Sequence, residues 1–174
     1  MELLVGGAFE GLFREFGREA FQLQVREVPA GHGAAAFQRF LTGEGDDLGW
    51  RQGWLELVRD AVAAGRSIRR VRVVSVPHGD YTRWGLTVAA RDVAAGEEVL
   101  WLPRHFADSA MSTDDFWLFD DERVVFEVFQ DGRFVGGAAT TDPAIVERCR
   151  SLRDRVWRRA IPHQEYEVSD FVRA

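Results

Sequence analysis

The chain has 174 residues, 46% of them hydrophobic, which is enough apolar material for the core of one domain. Its formal net charge is −6, and all 22 cationic side chains are arginine because the sequence contains no lysine. These features exclude a Schiff base, a P-loop lysine and a Ser-Lys dyad, and they exclude a global basic field for nucleic acid. The single cysteine excludes an internal disulfide and a thiolate metal site.

The termini and the hydropathy pattern bear on location. Residues 1–7 carry no basic region and no long apolar run, unlike a secretory signal peptide. No stretch reaches the ~18 apolar residues that a membrane-spanning helix needs. We therefore expect a single cytoplasmic domain over residues 1–174 with no membrane partner. Residues 163–174 are expected to form a short polar tail, with Tyr166 and Phe171 as its anchors.

Helices and strands are expected to alternate in the first 103 residues. Helical spacing of apolar side chains predicts helices over residues 8–16, 34–41, 50–64 and 81–93. Alternating or β-branched runs predict strands over residues 21–28, 68–76 and 99–102. Asp80 is expected to cap the fourth of these helices, because Asp is a favoured N-cap residue.

The second half predicts a hairpin followed by one long helix. Strands are expected over residues 116–119, 124–129 and 133–139, with a tight turn at Asp131-Gly132. Asp142 as N-cap and Pro143 at the first helical position begin the last helix, which Pro162 ends. The order of elements predicts an α/β fold with a single mixed sheet and packed helices.

An arginine-rich strand is the strongest local anomaly. Arg70 and Arg72 fall on the same face of the predicted strand, where two guanidinium groups can hold a phosphate or a carboxylate. Ion pairing to neighbouring acids, or an exposed edge strand, explains the same pattern without a ligand. Tyr81, Arg83 and Trp84 follow that strand, and an aromatic group beside arginine can stack on a planar ligand. Plain packing of Trp84 is the alternative.

Acidic residues cluster on both sides of the strand predicted over residues 116–119. Asp120, Asp121 and Glu122, with Asp114 and Asp115 just before, have the side chains for Mg²⁺ binding or for acid and base roles. A solvated β-turn is the alternative. Strand alternation places Asp115, Trp117 and Phe119 on one face, and Asp120 falls at a strand end, where it can line a cleft.

The remaining candidates favour structural roles. The histidines lie in predicted loops without metal-pair spacing and are expected at the surface: His32, His78, His105 and His163. The arginine-rich last helix is expected to be a solvated face with intrahelical ion pairs, so direct nucleic-acid binding is disfavoured. Cys149 falls on its apolar stripe and is expected in the core.

A set of short motifs runs through most of the chain, from about Phe9 to Tyr166. They are Val71-Arg-Val-Val-Ser75, Asp80-Tyr81-x-Arg83-Trp84, Ala94-Ala-Gly-Glu97, Leu102-Pro-Arg104, Asp115-Phe-Trp-Leu-Phe-Asp-Asp121 and Asp142-Pro with Trp157 and Pro162. Together they resemble an uncharacterised actinobacterial family, a domain of unknown function. Its members are often encoded near helix-turn-helix regulators, so the resemblance implies such a regulator as partner.

A second resemblance concerns the fold alone. The helix, turn and strand before Ser75 and the strand from Phe116 to Asp121 look like a degenerate phospholipase D-like half. Active phosphodiesterases of that family need a His-x-Lys motif, which a chain without lysine cannot supply. The resemblance therefore implies that this hydrolytic chemistry is lost.

Taken together, these patterns predict a non-enzymatic regulatory or interaction protein that partners a DNA-binding regulator and senses a small anionic ligand. The expected binding residues are Arg72, Ser75, Tyr81, Arg83, Trp84 and Arg104, with Asp120 at the edge. Arginine would hold the anion, and Trp84 or Tyr81 would stack on a planar group; no cofactor, metal or catalytic residue is expected. The alternative is a small enzyme that uses Asp120 or Asp121, with Mg²⁺, on a phosphorylated or nucleotide-like substrate.

Overall fold

The computed structural model describes residues 1–28, 33–108, 111 and 114–173. Within these residues, helices pack on one eight-stranded mixed sheet, which confirms the predicted fold class. The strands are β1 Glu2–Leu4, β2 Glu19–Gln24, β3 Ser67–Val74, β4 Glu98–Pro103, β5 Phe116–Phe119, β6 Arg123–Gln130, β7 Arg133–Thr140 and β8 Ile161–Pro162. The helices are α1 Gly7–Glu15, α2 Gly33–Leu41, α3 Gln52–Ala63, α4 Asp80–Ala95, α5 Pro143–Arg159, α6 His163–Tyr166 and α7 Asp170–Arg173.

The strand order is β1-β7-β6-β5-β2-β3-β4-β8. β2, β3 and β4 run parallel at the centre, and the other neighbouring pairs are antiparallel. Parallel neighbours need a crossover connection; α2 and α3 supply one, and α4 supplies the other. These helices contact one another and α1 over one face of the sheet, while α5 packs on the opposite face.

The side chains of the central strands differ sharply between the two faces. The face under α5, here the apolar face, is formed by Phe21, Leu23, Val71, Val73, Leu100, Leu102, Phe116 and Leu118. The opposite face, here the polar face, carries Gln22, Gln24, Arg70, Arg72, Trp117 and Glu127. Strand register places Gln22 beside Arg70 and Gln24 beside Arg72. The prediction that Arg70 and Arg72 share a face is therefore confirmed.

The structure confirms the predicted start of α5, the hairpin turn between β6 and β7 and the burial of Cys149. Asp142 accepts hydrogen bonds from the backbone N–H groups of Ala144 and Ile145, and Pro143 opens α5. Asp131 and Gly132 both have positive φ, as a type I′ hairpin turn requires. Cys149 is buried on α5, and burial raises the pKa of its thiol to about 11, which is typical of an inert core cysteine.

One prediction about local structure was wrong, and short elements at both ends of the chain were not predicted. Gly79, not Asp80, is the N-cap of α4, because Asp80 already has helical backbone geometry as the first residue of the helix. Its carboxylate still lies in the first turn, where the helix dipole favours a negative charge. Strand β1 was missed because it has only three residues and forms by pairing with β7, more than 130 residues away in sequence.

The C-terminal segment is anchored by Tyr166, one of the two aromatic residues expected to hold it. Tyr166 is fully buried and stacks on the indole of Trp101, with ring centroids 5.4 Å apart. His163 accepts a hydrogen bond from Trp101 Nε1, and His78 Nε2 lies 3.0 Å from the Tyr166 hydroxyl. The prediction that His78 and His163 are surface residues was therefore wrong, because both have buried hydrogen-bond partners.

The remaining two histidines are His105 and His32. His105 is exposed as predicted, and His32 lies outside the described residues. None of the helices in the described part of the chain has the length and apolar character that crossing a bilayer requires.

Candidate ligand-binding cavity

A cavity of about 530 Å³ lies between the polar face of the sheet and helices α1, α3 and α4. This volume falls within the range of roughly 300–1,000 Å³ that small-molecule sites occupy. Its floor is formed by Gln22, Gln24, Arg70, Arg72, Asp115, Trp117 and Glu127. Its walls include Phe13, Trp50, Trp54, Tyr81 and Trp84. The cavity therefore joins charged and amide groups on the sheet to aromatic rings on the helices.

Arg72 is the cation without a counterion on this floor. Only 8% of it is exposed, and it forms no hydrogen bond or ion pair with any residue that the structure describes. Its guanidinium carbon lies 5.3 Å from the centre of the Trp101 ring. Burial and the neighbouring Arg70 lower the pKa of Arg72, but arginine stays charged in proteins. A buried charge of this kind costs stability unless something pairs with it.

Arg70 and Arg51 also line the cavity and are neutralised internally, whereas Arg14, the fourth lining arginine, is exposed to solvent. Arg70 Nε donates to Glu97 Oε1 at 2.6 Å in a buried pair. Arg51 donates two hydrogen bonds to the fully buried Asp92, at 3.0 and 2.8 Å. Ion pairing thus accounts for Arg70, as the alternative interpretation held, but it does not account for Arg72.

A glycine on α4 makes room for the Arg72 side chain. A Cβ atom built on Gly85 would lie 2.5 Å from Nη1 of Arg72, closer than real contacts allow. The guanidinium therefore packs directly against the helix backbone at this residue. Trp84, the preceding residue, lines the cavity, so α4 contributes both an aromatic wall and the space for the cation.

Hydrogen-bond acceptors concentrate on the β2 and β6 side of the floor. Gln22 Nε2 and Trp117 Nε1 both donate to Glu127 Oε1, at 2.6 and 3.0 Å. Gln24 Nε2 donates to the Tyr81 hydroxyl at 3.1 Å. These bonds orient both amides and leave Oε1 of Gln22 and of Gln24 buried without a partner among the described residues.

Glu127 has a strongly perturbed carboxyl group. Burial, together with the negative charge of Asp115, raises the pKa of Glu127 to about 7. Burial also raises the pKa of Asp115, whose Oδ1 accepts backbone hydrogen bonds from Val25 and Arg26 at 2.6 and 3.0 Å. Asp115 thus ties the end of β2 to β5, and Glu127 lines the cavity as the second carboxyl group.

The walls suit a planar ligand. Trp50 and Trp84 stack with centroids 5.7 Å apart and an interplanar angle of 22°. Tyr81 lies 5.7 Å from Trp84, centroid to centroid. The indole Nε1 of Trp84 is buried and has no hydrogen-bond partner among the described residues, so this wall also carries an unused donor.

The structure brings together three of the seven residues predicted from the sequence. Arg72, Tyr81 and Trp84 line the cavity. Ser75 and Arg104 meet elsewhere, at the carboxylate of Glu27, with distances of 2.7 and 3.1 Å. Arg104 also donates to the backbone carbonyls of Val25 and Val73, so this cluster holds the ends of β2 and β3 together.

Arg83 and Asp120 lie away from the cavity lining. Arg83 is exposed and pairs with Asp80 one turn earlier on α4, at 3.4 Å. The Asp120 carboxylate accepts hydrogen bonds from the backbone N–H groups of residues 17, 18 and 19, at 2.7, 2.7 and 2.9 Å. Burial acts to raise the pKa of Asp120, but these hydrogen bonds lower it overall.

The carboxylates of the alternative enzymatic interpretation are also engaged. Asp121 pairs with Arg153 and Arg150 of α5. Within residues 1–28, 33–108, 111 and 114–173, no three His, Cys, Asp or Glu side chains are grouped to hold a metal ion. The geometry gives Asp120 and Asp121 structural partners, and their catalytic use stays a prediction.

Sequence reasoning missed Gln22, Gln24 and Glu127. The signal was present in Phe21-Gln-Leu-Gln-Val25, where two glutamines alternate with buried apolar residues and so share one face of a strand. A polar pair on the inner face of a central strand predicts either a hydrogen-bonded network or a ligand. Glu127 stands in an apolar strand and carries the same signal.

Fold and site together define an α/β domain with an aromatic-walled cavity above a polar sheet face. The chain belongs to the family described as domain of unknown function DUF6879, which matches residues 7–168. That range includes every cavity residue named above, and the match confirms the uncharacterised family indicated by the motifs. No curated protein shows a significant match to the sequence.

Proposed function

We propose that the protein is a ligand-binding regulatory protein whose cavity holds a small planar anion. The observation that carries the proposal is Arg72, a buried cation on the cavity floor with no ion pair among the described residues. A carboxylate or phosphate on the ligand would supply the missing counterion through charge-assisted hydrogen bonds. The rings of Tyr81, Trp84 and Trp50 would enclose the planar part.

Energetics support a binding role for Arg72. Replacing a buried charge by an apolar side chain of similar volume is often neutral or stabilising, so an unpaired arginine in the fold is a cost. Proteins commonly keep such costs where function needs them. An anion that binds next to Arg72 would offset the cost only in the bound state, which favours binding.

The regulatory side of the proposal comes from the family resemblance. The DNA-binding, helix-turn-helix partner, the actinobacterial source, the cytoplasmic location and the phospholipase D-like likeness all stay predictions.

A titration with matched variants tests the binding site. Arg72→Met keeps the length of the side chain but removes the charge. Arg69→Met is the control, because Arg69 lies on the same strand, faces the other side of the sheet and pairs with Glu19 and Glu98. With benzoate as probe, calorimetry should show binding to the wild type and to Arg69→Met, and loss of binding to Arg72→Met.

Two further variants sharpen the test. Gly85→Ala should weaken benzoate binding without touching the probe, because the new Cβ displaces the Arg72 guanidinium. Arg83→Ala should leave binding unchanged, since Arg83 is exposed and outside the cavity lining. Unchanged binding to a folded Arg72→Met variant would overturn the proposed function.

A further inference from the structure

The hydrogen-bonding groups around the cavity are separated by type. Acceptors lie towards β6: the carboxyl group of Glu127 and the carbonyl oxygen of Gln22, whose amide N–H is bonded to Glu127. The carbonyl oxygen of Gln24 is a further acceptor, on the residue beside Arg72 in the strand register. Donors lie towards β3 and α4: the guanidinium of Arg72 and the indole N–H of Trp84. The cavity therefore has an acceptor end and a donor end.

The two ends are set apart by the order of the strands. Glu127 stands on β6 and Arg72 on β3, with β5 and β2 between them. Neighbouring strands are about 4.8 Å apart, so three intervals separate the two backbones by roughly 14 Å. The Arg72 guanidinium lies against Trp101 and Gly85 and not towards β6, so a ligand that reaches both ends needs hydrogen-bonding groups at opposite ends of its ring.

We propose that the ligand is amphoteric, with an anionic group that binds Arg72 and an amine or amide N–H donor at its opposite end that binds Glu127 and Gln22. This inference rests on the proposed function of the cavity and names the chemical class of its ligand. The donor end is needed because a ligand that fills the cavity removes water from the acceptors. A buried acceptor left without a donor weakens binding, because it loses its hydrogen bonds to water without replacement.

A simple cation fits the cavity less well. The indole faces that would receive it are already covered by arginine: Arg51 lies 5.3 Å from the Trp54 ring, and Arg70 lies 5.6 Å from the Trp117 ring. A second cation among these guanidinium groups would be repelled. An aromatic anion without a hydrogen-bond donor would pair with Arg72, but it would remove water from the acceptor end and leave those acceptors without a donor.

Three matched probes separate the two ends of the ligand: 4-aminobenzoate, benzoate and aniline. Calorimetry and the indole N–H signals of the ¹⁵N-labelled protein would report binding. At pH 8, where Glu127 with its pKa of about 7 is mostly ionised, we expect 4-aminobenzoate to bind roughly tenfold more tightly than benzoate, as one hydrogen bond to a charged group provides. Aniline should bind more weakly than either, because it lacks the anion that Arg72 needs.

The variant Glu127→Gln tests the acceptor end without changing its shape. In this variant the preference for 4-aminobenzoate over benzoate should fall to about twofold or less, because the acceptor loses its charge. Benzoate itself should bind at least as tightly as to the wild type, since a negative charge is removed from the cavity. Melting curves of each variant establish that it is folded.

The possible outcomes distinguish this inference from the proposed function. If both acids bind the wild type equally and both lose binding in Arg72→Met, the amphoteric ligand is overturned and the anion site stands. The amphoteric ligand is likewise overturned if Glu127→Gln keeps the full preference. If neither acid shows binding that depends on Arg72, or if aniline binds as tightly as 4-aminobenzoate, the proposed function fails and this inference fails with it.

Discussion

The two faces of the central sheet are built from the same strands but differ in chemistry. On β2, Phe21 and Leu23 point to the apolar face and are fully buried, whereas Gln22 and Gln24 point to the cavity. On β3, Val71 and Val73 alternate with Arg70 and Arg72 in the same way. Strand alternation thus lets one face supply the packed core while the other provides a polar site. The comparison predicts opposite responses to substitution on the two faces.

The largest effect is expected on the apolar face. Leu118→Ala should lower the free energy of unfolding by about 2–5 kcal/mol, because Leu118 is buried under α5 and its removal leaves a cavity. Urea denaturation measures the change. The control Val135→Ala, on the partly exposed β7, should change stability by less than about 0.5 kcal/mol. A small effect of Leu118→Ala would break the assignment of this face as the main core.

The second prediction concerns Glu127, whose replacement should raise the free energy of unfolding where that of Leu118 lowers it. Its pKa of about 7 in the folded protein lies above the value of 4.5 for an unperturbed glutamate, so the folded state holds the proton more tightly. Stability should therefore fall as pH rises from about 4.5 to 7 and then stay low. Glu127→Gln should remove this loss and stabilise the protein at pH 8 by roughly 3 kcal/mol.

Denaturation at several pH values checks the Glu127 prediction. At pH 4 the variant and the wild type should have nearly equal stability, because both side chains are then neutral. The exposed Glu122→Gln serves as a control and should leave the pH profile unchanged. A wild-type stability that rises between pH 5 and 7 relative to Glu127→Gln would contradict the burial of this carboxyl group.

A third prediction concerns the end of the sheet, outside both faces. Asp120→Ala should cost about 1–2 kcal/mol, because three backbone N–H groups lose their acceptor and residue 120 keeps a positive φ. Asp120→Asn should cost less, since Asn keeps an acceptor and tolerates that backbone conformation. Thermal shifts with Mg²⁺ complete the test: stabilisation by the ion that disappears in Asp120→Ala would favour the enzymatic alternative.

The smallest effect should come from the cavity itself. Arg72→Met should raise the free energy of unfolding by about 1 kcal/mol or leave it unchanged, because it replaces an unpaired buried charge with an apolar side chain. Chemical denaturation of this variant beside Arg69→Met gives the comparison. A loss of several kcal/mol in Arg72→Met would show that the contact with Trp101 outweighs the cost of the buried charge.

Periodicity predicted most of the regular structure, since it is a local property. Alternation located β2 and β3, helical spacing located α1, α3 and α5, and the Asp142-Pro143 pair located the start of α5. Long-range contacts lay beyond such patterns. Tyr166 was expected to anchor the C-terminal segment, but its stacking partner Trp101, which is far away in sequence, was not predicted.

The candidate site was predictable only in part for the same reason. Arg83 and Trp84 are neighbours in sequence, but successive residues of a helix point about 100° apart, so one reaches the cavity and the other reaches solvent. Ser75 and Arg104 directly follow β3 and β4, but neither lines the cavity. Their side chains instead bind Glu27, a contact that the sequence does not encode locally.

The alternation along β3 also constrains how such a domain can diverge. Exchanging Arg72 for another side chain alters the cavity and leaves Val71 and Val73 in their places on the opposite face. A one-residue insertion in the strand would do the reverse, turning arginines into the hydrophobic core and valines towards the cavity. Point substitutions on this strand can therefore change the ligand preference without disturbing the core, whereas a change in the length of the strand would disrupt both faces.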